Sequence, residues 1–94
     1  MAVSNRQKQM WDGKWRIVMF DIPEVARGLR NNLRDFLKQN DFVKLQDSVF
    51  VSPYSLKKVS LQYLSQSGLI EYIRFVKAEE IDDDRSLRKK FNLK

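Results

Sequence analysis

WRIVMFDIPE, residues 15–24, decides the fold of this chain. Ile17, Val18, Met19 and Phe20 are consecutive apolar residues, and the run stops on Asp21-Ile22-Pro23. An unbroken apolar run bounded by turn formers reads as a strand covered on both faces, so Trp15 to Asp21 is expected at the centre of a sheet. Pro23 closes the strand and opens the next element, because its fixed φ suits a first helical turn. Asp21 has three readings at this point. It is a turn residue bonding to the amides after it, a helix cap, or a carboxylate placed to hold a metal ion.

Beyond Pro23, Glu24 to about Gln39 reads as a helix. Val25, Leu29, Leu33, Phe36 and Leu37 recur at spacings of three and four and predict its buried face. Asn40-Asp41 stops it. Phe42 to Gln46 and Ser48 to Pro53 read as two short strands joined tightly at Asp47, with one long bent strand carrying a bulge as the alternative. Leu56 to about Gln66 is a second helix, with Leu56, Val59, Tyr63 and Leu64 inward and Gly68 as its cap. Ile70 to Ala78 is the last strand. The order β-α-β-β-α-β, with right-handed crossovers, predicts an α+β ferredoxin-like sandwich: one antiparallel sheet with two helices on one face.

Three segments follow from this order. Residues 1–10, MAVSNRQKQM, are expected to be a flexible lead-in, and residues 11–78 to form the ferredoxin-like domain. Residues 79–94 lie outside that fold. There Asp82-Asp83-Asp84 precedes RSLRKKFNLK, and Leu87 and Phe91, four apart, predict a short helical tail. With little core of its own, the tail is expected to dock on a partner or on an open sheet edge through Leu87 and Phe91. The three aspartates are adjacent rather than alternating and lack the glycine of a calcium loop, so they read as helix-start charges instead of a metal cluster.

Composition narrows the chemistry. A chain of 94 residues with 43% hydrophobic and 12% aromatic content is enough for one small packed domain. It contains no cysteine and no histidine, which excludes disulfides, thiolate nucleophiles, Cys/His zinc sites and histidine general bases. A cation held by carboxylates alone is a hard one, Mg²⁺ or Mn²⁺. No apolar stretch reaches the roughly 20 residues of a membrane helix, and the N-terminus is no signal peptide, so a cytoplasmic location without membrane contact is expected.

The net charge is +6, from 18 Lys and Arg against 12 Asp and Glu, and such a surface attracts phosphate backbones. Arg27, Arg30, Arg34 and Lys38 are spaced three, four and four apart, which gathers them into one arc of the first helix, expected opposite the Leu29/Leu33 face. Such a stripe is expected to grip phosphates without reading bases, a solvated outer face being the alternative. Lys14 and Arg16 flank the first strand. Trp11 and Trp15 read as closing the bottom of the core.

FDIPE (20–24), the Arg-rich helix, and Gln46, Ser48, Val49 and Phe50 of LQDSVFV resemble the CRISPR-associated spacer-acquisition protein, a ferredoxin-like subunit that partners the CRISPR integrase. The wider text, WDGKWRIVMFDIPE with QDSVFVSPY, resembles the middle domain of the phenylacetate-degradation repressor family (PaaX type), over roughly residues 11–92. The first resemblance implies a homodimer that bridges integrase dimers and holds double-stranded DNA, with Lys14, Arg16, Arg27, Arg30, Arg34 and Lys38 on the nucleic acid. It also implies that Asp21, the acid ending the first strand, is the metal-linked and catalytic residue, two copies sharing Mg²⁺ across a two-fold axis in a nuclease. Val51-Ser52-Pro53 departs from the acquisition protein, and this sequence holds no segment that reads as the repressor's winged helix, so a free-standing chain is expected, with a piece of a longer repressor-like protein as the alternative. A chain of this length opening on Met reads as a free-standing adaptation subunit. The alternatives are a Mg²⁺-dependent endonuclease using paired Asp21 and the dimerisation domain of a PaaX-type repressor.

Overall fold

A computed structural model describes residues 10–93. Four strands, β1 (Trp15–Phe20), β2 (Val43–Gln46), β3 (Val49–Ser52) and β4 (Ile73–Ala78), form one antiparallel sheet in the order β2-β3-β1-β4. Two helices, α1 (Arg27–Gln39) and α2 (Lys58–Gln66), lie between β1 and β2 and between β3 and β4 in the chain. A third, α3 (Arg85–Lys90), follows β4. This is the ferredoxin-like architecture expected, with β1 central and paired on both sides.

The two-strand reading of residues 42–53 holds, and a bulge is present as well. The β2–β3 register shifts between Lys44 and Gln46, so one extra residue sits in β2.

Alternation along β1 divides the core in two. Val18 and Phe20 point to the α1/α2 side, where they pack with Leu33, Leu37, Phe42, Phe50 and Leu64. Trp15 and Ile17 point to the other side. There Trp15, 1% exposed, packs with Val51 and Leu87, and Trp11, Val43, Ala78, Ile81, Phe91 and Leu93 gather round.

The second cluster corrects one expectation. Leu87 and Phe91 do not reach out for a partner, because α3 lays them on this chain's own sheet. The two tryptophan rings beside them supply the core that the tail itself lacks. Asp84 stands at the start of α3, but its carboxylate makes no cap bond. It accepts hydrogen bonds from Trp15 Nε1 at 3.3 Å and Arg88 Nε at 3.0 Å, and the Arg88 guanidinium lies 4.8 Å from the Trp11 ring centre.

Several element starts and faces also differ from expectation. Pro23 is extended, and Glu24–Ala26 is one 3-10 turn before α1 begins. That turn changes the phase of the apolar repeat. Val25 is 97% exposed and Leu29 is half exposed, while Leu33 and Leu37 are fully buried. In α2 the inward positions are Ser60 and Leu64, with Leu56 buried just ahead of the helix, while Val59 and Tyr63 are largely exposed. Ser60 is tolerated inside because its Oγ donates to Asn40 Oδ1 at 2.7 Å, which ties α2 to the end of α1. Leu69–Tyr72 is a 3-10 turn, so β4 starts at Ile73 rather than Ile70.

Candidate nucleic-acid interface

The cationic stripe lies on α1, and its position follows from helix geometry. Arg30 and Leu37 are seven residues apart, which places them only about 20° apart around the axis. The stripe therefore borders the buried face and does not oppose it. The consequence shows in the contacts. Arg30 is held by Glu24 at 2.7 Å, with its side chain 23% exposed. Arg34 donates to the carbonyl of Asp47 at 3.0 Å and so fastens the helix to the β2–β3 turn. Their Nε atoms are buried without a partner. Arg27 is largely in solvent, with Glu24 at 3.7 Å, and Lys38 is exposed. The stripe thus splits into two cations with structural contacts and two that face solvent.

Arg16 has a comparable internal assignment. Its guanidinium forms a two-pronged pair with Asp12 at 2.6 and 2.8 Å and also donates to the carbonyls of Lys14 and Pro53. Three segments of chain meet on this one side chain: the lead-in turn, β1 and the end of β3. The charge-assisted bonds from Arg16, joined by one from the Lys14 amide, hold the Asp12 carboxyl well below the usual carboxylate range. The same pairing raises the affinity of Arg16 for its proton. The Lys14 side chain is partly exposed beside this clamp. At the β2–β3 turn, the Lys44 ammonium, 2.9 Å from Asp47, lowers that carboxyl's pKa.

Asp21 lies between buried Phe20 and buried Ile22, and its own side chain is exposed. Its amide donates to the carbonyl of Tyr72 at 3.0 Å, which fixes the strand end against the turn before β4. Its carboxylate has no hydrogen bond or ion pair among the described residues, so it forms neither an Asx turn nor a cap there. It opens on a depression of about 520 Å³ lined also by Met19, Phe20, Glu71, Tyr72, Ile73 and Arg74. Asp21 and Glu71 are the two carboxylates at this depression, and no group of three or more potential metal ligands occurs among the described residues.

Sequence reasoning missed Asp12 and Glu24, the acids that occupy Arg16 and Arg30. For Asp12 a signal was present in the Asp-Gly turn four residues before Arg16.

The fold and these surfaces define a class: a small ferredoxin-like domain whose basic helix is partly committed to its own architecture. The family model of the PaaX protein central Cas2-like domain matches residues 8–90, and the chain belongs to that family. The match runs through α3, so the tail is part of the matched stretch along with the βαββαβ core. No curated protein matches the chain. Among the described residues, no helix is long and apolar enough to cross a membrane.

Proposed function

We propose that this chain acts as the dimer-forming module of a PaaX-type transcriptional regulator. The family match over residues 8–90 carries this reading. The geometry of the basic residues supports it over a dedicated DNA-gripping role. Of the six cations expected on nucleic acid, Arg16, Arg30 and Arg34 hold contacts within the chain, leaving Lys14, Arg27 and Lys38 for phosphate. A module of this kind forms a homodimer and binds plain duplex only through unspecific charge, in the range of about 10⁻⁴–10⁻⁶ M at physiological salt.

Sedimentation equilibrium and a gel-shift on plain duplex test it together. The expected result is a dimer with no shift at sub-micromolar protein. A monomer at tens of micromolar, or nanomolar duplex binding, overturns it.

The second reading, a duplex-holding adaptation subunit that partners an integrase, draws support from the +6 charge and the exposed Arg27 and Lys38. For that reading, Arg27→Glu with Lys38→Glu is a cleaner test than changes at Arg30 and Arg34, which also disturb the fold. Tight binding in the parent that this pair abolishes favours the second reading. A Mg²⁺-dependent nuclease requires two Asp21 carboxylates on one ion, and its support is that the Asp21 carboxylate is exposed and has no hydrogen bond or ion pair among the described residues.

A further inference from the structure

The two rims of the sheet are built differently. At one, β2 has four residues, a register shift at Lys44/Gln46, and Lys44 itself, which are devices that discourage strand addition. At the other, β4 pairs with β1 along all six of its residues without a bulge, and its outer edge has no strand partner among the described residues. The β1–β4 register places Phe75 with Val18 on the α1/α2 side and Val76 with Ile17 on the other. Phe75 is 46% exposed and Val76 40%, so both sides of this rim are apolar. Beside Phe75, an open groove of about 370 Å³ is lined by Phe42, Leu56 and Leu61.

We infer that the β4 rim is the interface between two copies of this chain, joined strand to strand about a two-fold axis through Val76. This rests on the dimer reading above and assigns its surface. The argument is charge order along the strand. Arg74 and Lys77 lie within β4, and Glu79 and Glu80 follow at once. A parallel alignment sets like charges beside like. An antiparallel one brings the basic part of each strand towards the acidic part of the other.

A two-fold perpendicular to the sheet pairs residues of the same face, so only alternate registers are open. Centred on Val76, the pairing sets Val76 against Val76, Phe75 against Lys77, and Arg74 against Ala78 with Glu80 on the diagonal. No like charges lie directly opposite. Centred on Phe75, it sets Arg74 against Val76 and puts the two Arg74 on one diagonal with no acid beside either, since Glu71 stands in the 3-10 turn ahead of the strand. Centred on Lys77, it sets ammonium against ammonium. In the chosen register the two Lys77 stems lie along the Phe75 rings and their ammonium groups turn out to water. The result is one continuous eight-stranded sheet.

The chain has no cysteine, so a single introduced thiol reports proximity cleanly. Val76→Cys should form a covalent dimer under mild oxidation. Val59→Cys, at a 67% exposed position on α2, should remain unlinked over the same time. Val76→Lys and Val76→Glu should each weaken the dimer at least tenfold in sedimentation, and an equimolar mixture should restore it. That rescue separates a lost interface from a lost fold. A dimeric parent whose Val76→Cys links no faster than Val59→Cys overturns this interface and leaves the dimer reading standing on another surface. A monomeric parent with freely exchanging β4 amides overturns both and leaves the rim to a strand of a different protein.

Discussion

Leu87→Ala is the sharpest test of the second core. Leu87 is 7% exposed and wedged against Trp15 and Val51. Truncating a buried leucine costs about 2–5 kcal/mol, from lost transfer energy plus the cavity left behind. The lower part of that range applies here, because α3 is six residues long and lies at the surface, where it can settle into the space. A loss of about 2–3 kcal/mol changes the docked-to-undocked ratio about 30- to 150-fold.

Were α3 to melt with the rest of the domain, the melting temperature would fall by about 8–24 °C for a domain this size. Were it to release first, the sheet would persist with its second face open. Fluorescence separates the two outcomes, because both tryptophans of the chain, Trp11 and Trp15, lie in this cluster. The variant's emission should shift to longer wavelength and acrylamide should quench it more, either at the melt or before it. Hydrogen exchange should quicken at residues 85–91 in step. A variant that melts within about 2 °C of the parent, with unchanged emission, refutes the reasoning, since a burial effect of 2 kcal/mol cannot hide in a domain of this size.

Two more predictions concern the acids. Asp12 has its carboxyl held below the ordinary value of 3.8 by Arg16 and the Lys14 amide. Its contribution is therefore present in full above that pH and fades as acid is added below it. With the Asp12 side chain about half exposed, the contribution is small, under about 1 kcal/mol. Urea midpoints of parent and Asp12→Asn should differ at pH 7 and converge as the solution is acidified below pH 4, and a gap that widens in acid contradicts the assignment. Asp21→Asn should leave stability within about 0.5 kcal/mol, because the carboxylate is exposed and has no partner among the described residues to lose. A thermal melt showing a loss beyond about 1 kcal/mol would reveal a partner for Asp21.

Much of the fold was legible because its signals are local. The apolar run of residues 17–20 between Trp15 and Asp21 has one good explanation, a central strand, and β1 is that strand. Helix faces were read less well. The sequence repeat runs from Val25, but an extended Pro23 and a 3-10 turn delay the helix to Arg27, leaving Val25 in solvent. In α2 the inward row passes through Ser60, and a serine does not register in an apolar count. Only its distant partner, Asn40, makes the position habitable. The basic stripe was legible as a stripe. Its division into fastening and solvent-facing cations was not, because Asp12, Glu24 and the Asp47 carbonyl come to Arg16, Arg30 and Arg34 only through the turns. The tail's own residues gave no hint that Trp15 waits on the far side of the sheet.

The extra residue in β2 has a consequence for how far such a molecule can polymerise. A ribbon with two straight borders is a template for endless fibres, each newcomer exposing a fresh border to the next. Here one border is kinked, and in the proposed dimer a symmetric pair consumes the other. In that arrangement growth along the sheet would terminate at two, and a single misaligned rung in β2 would be what stops it.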